Sequence, residues 1–313
     1  MLLQPCAVTQ APLNTGLDCQ VKMSSPALLI MVPATAKWLA SDEAGDFLAY
    51  IAARCHDTPN KRWFPLFGNA APIRTVTDGK ESDVTVTYDD GSISFIRNGT
   101  ITRTFLTNKG GLALAQAFLS FNKFHKYSFI EIDKFNNVLR KQNADGSFSG
   151  VPLNVSYSPT PENATLKTEF QAGFTLNYRV EDYIQTGTIS ASDENLLDVM
   201  GLIPSQVVDA GSSTTTKLRV GIKTIGTQTD LLALFNPLSG SNPWAVLSNL
   251  VVTLAGAVIT PTAIAYNGGA LELTITGGAS GNKYLISGVA ASVYYAANIV
   301  GYDVIQPVTI TIP

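Results

Sequence analysis

The chain contains two histidines, His56 and His125, so side chains that titrate near neutral pH are scarce. Cys55-His56-Asp57 places a thiol, an imidazole and a carboxylate in sequence order, the residue types that nucleophilic catalysis uses. Neighbouring residues point in different directions, however, and catalytic triads are assembled across a fold. The tripeptide reads better as the end of a helix, where a cationic histidine complements exposed carbonyls.

Asn143-Ala144-Asp145-Gly146 has the start of a calcium loop, but no glutamate stands at position twelve, and a hairpin turn explains it better. Asp78, Asp83, Asp89 and Asp90 would meet at a cation only if a hairpin tip folded back, so they read as solvated turn carboxylates. No pair of carboxylates stands out for glycoside cleavage. No P-loop, Gly-x-Ser-x-Gly or His-Glu-x-x-His pattern occurs. Asn122-Lys123-Phe124-His125-Lys126-Tyr127 mixes bases and rings as a single-strand binder does, yet it is short and reads as a helix end with Lys123 and Lys126 on the carbonyls. No catalytic residue, metal ligand or cofactor is expected.

Charge is unevenly spread. Charged residues make up 14% of the 313, and net charge is -3, which gives no general attraction to nucleic acid. Residues 231–313 hold only Glu272, Lys283 and Asp303, where a typical domain carries about 25% charge. Such a neutral surface offers little protection against association and suggests assembly. The apolar stretch Leu250 to Tyr266 is broken by Thr253, Gly256, Thr260, Pro261 and Thr262, so no bilayer span is expected. The start, Met1 to Val21, lacks the basic and apolar regions of a secretion signal. Leu2-Leu3-Gln4-Pro5-Cys6 has only the outline of a lipoprotein cleavage site. Cys6, Cys19 and Cys55 are read as free thiols, with a Cys6–Cys19 bridge as the open alternative. The sequons at Asn98, Asn154 and Asn163 carry no meaning without secretion, and Asn98-Gly99 reads as a turn.

The elements that must position these residues follow from periodicity. Residues 1–25 read as an N-terminal arm, and the apolar run Ala27 to Val32 as a buried strand. A helix is expected over 41–54, capped by Ser41, with Asp42 and Glu43 at its positive end and Phe47, Leu48, Ile51 and Ala52 as its apolar stripe. A long irregular segment from His56 to Ser82 holds Trp63, Phe64 and Phe67, read as core or as a contact for another subunit. Hairpins run from Asp83 to Leu106, turning at Asp89-Asp90-Gly91 and Asn98-Gly99. A helix follows from Leu112 to Phe121, then strands at 127–133, 138–142, 148–157 and 168–180. The first module, 26–190, is therefore mainly β with minor α: an antiparallel β-barrel or sandwich with a flanking helix. Residues 191–216 read as a linker with a short helix at 193–200. In 217–313, a helical turn at 230–235 and strands at 217–225, 250–259, 263–266, 271–276, 283–289, 293–299 and 304–312 fit an immunoglobulin-like β-sandwich. Trp244, Tyr266, Tyr294 and Tyr295 are aromatics that a carbohydrate-binding face would use.

The order of hairpins (Asp83 to Leu106), amphipathic helix (Leu112 to Phe124) and returning strands (Phe170 to Val180) resembles bacteriophage tail tube proteins and related virion proteins. The resemblance implies a virion subunit, assembled in the host cytoplasm, that forms rings, usually hexameric, stacked into a tube through which DNA passes without specific binding. Its partners would be copies of itself and other virion proteins, with no membrane. Trp63, Phe64, Phe67, Leu112 and Phe118 would make subunit contacts, and Thr85, Thr87, Ser92 and Ser94 would face the lumen. Two other roles compete: a different virion part (capsid, head decoration or tail completion), and an adhesive or carbohydrate-binding module.

Overall fold

The structure, a computed structural model, describes residues 23–43, 46–68, 72–108, 111–119, 123–124, 126–153, 155–157, 170–179, 187–199, 201–235 and 242–313. The chain divides into two compact units: residues 1–55 with 59–201, and residues 56–58 with 202–313. Both are mainly β.

In the first unit, a seven-stranded antiparallel sheet carries Pro26–Pro33 between Tyr127–Asp133 and the short strand Phe64–Pro65. Asn137–Gln142 continues it, pairing with Phe148–Ser149 and Gly187–Ala191, while Val151–Pro152 joins Tyr127–Asp133. A second, five-stranded sheet runs in the order Thr75–Lys80, Thr100–Thr107, Ala172–Arg179, Val155–Tyr157, Lys123–Phe124. Of the two architectures expected, the protein adopts the sandwich: among the described residues no pairing closes the sheets into a barrel.

The run Leu28 to Val32 is continuously apolar because its strand is covered on both faces. Leu29 and Met31 join Phe129, Phe105, Phe174, Leu176 and Tyr178 in one core, while Leu28, Ile30 and Val32 join Phe47, Ile51, Cys55 and Leu196 in another. The helix Phe47–Cys55 buries Phe47, Ile51 and Cys55, four residues apart on one stripe. The helix Gly111–Leu119 flanks the first core through Ala115 and Phe118, as expected of a flanking helix.

Two ion pairs with buried carboxylates brace this unit. Glu43 and Arg140 approach to 2.9 Å, with Trp38 Nε1 donating to Glu43 and the Arg140 guanidinium 3.8 Å from the Phe148 ring centroid. Burial raises the Glu43 carboxyl above its usual range and lowers Arg140 to about 10, so each is held charged mainly by the other. In the second pair, Arg103 donates at 2.6 Å to Glu131, which is fully buried in the opposite sheet.

The second unit is a two-sheet sandwich. Ala263–Asn267, Ala270–Thr274, Lys217–Thr224, Ile203–Asp209 and Tyr302–Gln306 form one sheet; Ala257–Ile259, Leu250–Leu254, Lys283–Gly288 and Val308–Thr311 form the other. Leu218, Val220 and Ile222 meet Val252, Tyr284, Ile286 and Ile310 between them, around the fully buried Trp244. Two tight turns use backbone that favours glycine: Gly268 and Gly269 have φ of +55° and +79°, and Ala255 and Gly256 have +50° and +84°. Positive φ at both central residues is the hairpin turn whose twist matches its strands. Asp230 caps Leu231–Leu234 by accepting from the Leu232 and Ala233 amides.

Several expectations are corrected. The strand expected over 293–299 is the helix Ala291–Ala296, closed by Asn298 at φ +59° with Ile299 N–H donating to Tyr294 O and Asn298 N–H to Tyr295 O. This pair of bonds is a Schellman closure, which takes the place of a ladder. The segment read as linker contains Ile203–Asp209, a sheet strand of the second unit, and the helix expected at 193–200 is a short 3-10 turn, Leu196–Asp198. The irregular segment before Ser82 includes the strand Thr75–Lys80.

Candidate assembly surface

Between Thr75–Lys80 and Thr100–Thr107 the chain runs out into a hairpin, Val84–Thr87 with Ile93–Arg97, that forms a two-stranded sheet of its own. The base of this arm is fixed by charge. Asp78 and Arg103 are cross-strand partners, and Arg103 Nε and Nη2 bind the two Asp78 oxygens at 2.6 and 3.1 Å while Nη1 reaches Glu131. Such a fork is the geometry in which Arg holds carboxylates most firmly. Above it two bonds join the sheet to the arm: Glu81 N–H donates to Thr100 O, and Gly99 N–H to Asp83 Oδ1 at 2.9 Å. A Cβ on Gly99 would lie 1.8 Å from Glu81 O, so only glycine fits the joint.

The tip is Asp89-Asp90-Gly91. Gly91 N–H donates to Tyr88 O and Tyr88 N–H to Ser92 O, with Gly91 at φ +78°, a type I turn followed by a left-handed glycine. This turn fixes the register at Thr85 opposite Phe95, Val86 opposite Ser94 and Thr87 opposite Ile93. Cross-strand partners share a face, so each face mixes apolar and polar residues and neither is buried. Tyr88, Ile93, Phe95 and Ile96 are 53%, 67%, 59% and 57% exposed. Grouped exposed rings and branched chains of this kind mark an interaction surface, whereas single ones are ordinary.

The register also places the four residues expected at a lumen, all of them exposed. Thr85 and Thr87 are exposed on one face of the arm with Phe95 and Ile93, while Ser92 and Ser94 lie on the other, so the four do not form one wall. The expected subunit contacts shift as well. Trp63, Phe67 and Phe118 are 3%, 4% and 1% exposed and belong to the cores, where their rings pack at a tilt against Trp38, Phe105 and Phe174 respectively. Phe64 is half-buried, edge-on to Tyr127, and the Leu112 side chain lies outside the described residues. The sequence does contain the arm's signal, since Ile93, Phe95 and Ile96 stand beside a strong turn, but not its lack of a packing partner.

The candidate chemistry is occupied by structure. Cys55 is buried and its thiol is pushed up to about 12 by desolvation, which suits an inert core residue. His56 is buried and its Nε2 accepts from Gly301 N–H at 2.9 Å, so that nitrogen carries no proton and the expected cationic cap is replaced by a neutral acceptor. Asp145 accepts from Ser147 N–H and Oγ–H and is lowered to about 2, with Gly146 at φ +80°, a hairpin turn. Asp78, Asp83 and Asp90 are each engaged within the arm, Asp90 accepting from Ser92 N–H. No group of three ligating side chains gathers among the described residues. No helix among them is long and apolar enough to cross a membrane. Trp244 and Tyr294 are fully buried, which removes those two from a glycan platform; Tyr266 is half-buried beside the same core and Tyr295 half-buried against His56. The helix end expected over 122–127 is corrected: Lys123–Phe124 is a strand paired with Val155–Tyr157, and Tyr127 opens the next strand. Asn122 and His125 lie outside the described residues, as do Cys6, Cys19, Asn154 and Asn163.

A cavity of about 240 Å³ in the first unit is lined by Lys37, Arg54 and Lys61 together with Tyr50, Asn60 and Trp63. The Arg54 guanidinium lies 4.9 Å from the Tyr50 ring centroid, and Trp63 N–H donates to Arg54 O. The sequence matches no family model and no curated protein.

Proposed function

We propose that this chain is a non-enzymatic virion subunit that self-assembles into rings, stacked as a phage tail tube that guides DNA. The observation that carries this reading is the arm. A hairpin standing clear of both cores exposes four large apolar side chains within ten residues, where burial of each would contribute about 1.5–3 kcal/mol. A second copy of the chain is the partner that the ring architecture implied by the tail tube resemblance supplies. The mixed faces of the arm suit a shared interface better than a smooth lumen wall. The commitment of Cys55, His56 and Asp145 to structure favours an architectural over a catalytic role.

Negative-stain imaging of concentrated protein tests this. Rings with a central opening, or tubes of stacked rings, are expected; closed shells or discrete caps in the particle would move the protein to a head or tail-completion role. Uniform small particles at every concentration would refute self-assembly.

A further inference from the structure

We propose that the acidic tip of one copy's arm seats in the Lys37–Arg54–Lys61 cavity of a second copy. This rests on the self-assembly reading and names the two surfaces that meet. The chain has net charge -3, yet its cavity is lined by three cations and no carboxylate. Lys61 is exposed and makes no ion pair among the described residues, and Lys37 has only a solvent-exposed pair with Asp145 at 3.2 Å, which is worth little. Arg54 is held over Tyr50, so one cation of the cavity is already positioned.

At the arm's end, Asp89 and Asp90 are both exposed and without an ion pair among the described residues. Asp90 is kept low by the Ser92 hydroxyl and amide, so it presents a charge at any ordinary pH. The four-residue strand Val84–Thr87 carries these carboxylates roughly 13 Å beyond the joint. Acidic tip and cationic cavity are complementary in sign, and such complementarity selects partners and sets register. They are also different surfaces of one chain. A contact of this kind is heterologous, repeating head to tail, and closes into a ring or extends into a filament.

Charge exchange tests the pairing by sedimentation velocity on the full chain. D89K/D90N keeps an acceptor for Ser92 N–H and reverses the tip; K37E/K61E reverses exposed cavity residues. Each alone should weaken assembly at least about tenfold, and an equimolar mixture should regain it in mixed assemblies. If the wild type assembles and the tip variant assembles equally well, or the mixture recovers nothing, the pairing is wrong while self-assembly stands. Binding of inorganic phosphate to the cavity with undiminished assembly of the tip variant would also overturn it, assigning the cavity to a small anion. A wild type that stays monomeric would sink both readings.

Discussion

Glu131 shows how a single side chain can carry a cost. It has 0% exposure, Arg103 serves one of its oxygens, and Oε1 has no partner among the described residues. The 2.6 Å ion pair argues for the charged form, but burial is the larger effect and raises the carboxyl to about 7. Between about pH 4.5, its ordinary value, and pH 7, the unfolded chain ionises while the folded one keeps its proton, so stability falls as pH rises through that window. The contribution is present below it and lost above it, by about 3 kcal/mol at most. Glu131→Gln keeps the shape and removes the titration. Urea unfolding at pH 5 and pH 7 should show a smaller difference for this variant than for the wild type; equal differences would contradict the assignment. In the second unit, Tyr294 Oη accepts from Val289 N–H and donates to Asn249 O, both at 3.0 Å. Tyr294→Phe strands both backbone groups, and a loss of about 1–3 kcal/mol is expected in the same assay.

At the scale of elements, the arm should be separable from folding. Ile93→Ser with Phe95→Ser touches no core, so the melting curve should move by less than about 0.5 kcal/mol in stability while self-association falls. A large loss of stability would show that the arm packs on its own chain. Gly99→Ala is the opposite case: its Cβ meets the Glu81 carbonyl, so hydrogen exchange of the arm amides should accelerate although the cores remain. Elements with a strong local signal were legible in sequence. Pro26–Pro33 announced itself by its unbroken apolar run, and the arm by Asp-Asp-Gly between alternating strands. Thr75–Lys80 was not legible, because it is polar and exists through its pairing with Thr100–Thr107. Ala291–Ala296 misled because Val293, Tyr294 and Tyr295 favour strands, whereas a left-handed Asn298 closes a helical turn that buries Tyr294. The Asp78–Arg103–Glu131 network was hidden too, since its members lie 25 and 28 residues apart and meet only across two sheets.

At the scale of the whole molecule, Cys55, His56 and Asp145 are absorbed by core and turn, and among the described residues the arm stands out as a group of exposed apolar side chains. The two units divide this work. The first holds the arm, the cationic cavity and both ion pairs with buried carboxylates; the second is a quiet sandwich whose Glu272 is paired with Lys217 and Arg219 across its sheet. Its neutrality neither repels a neighbour nor supplies a site. The most direct test of assembly is the mass of the full chain by light scattering across a concentration series at physiological salt. A mass that rises with concentration to several times 33.3 kDa is predicted, and 33.3 kDa at every concentration would contradict it.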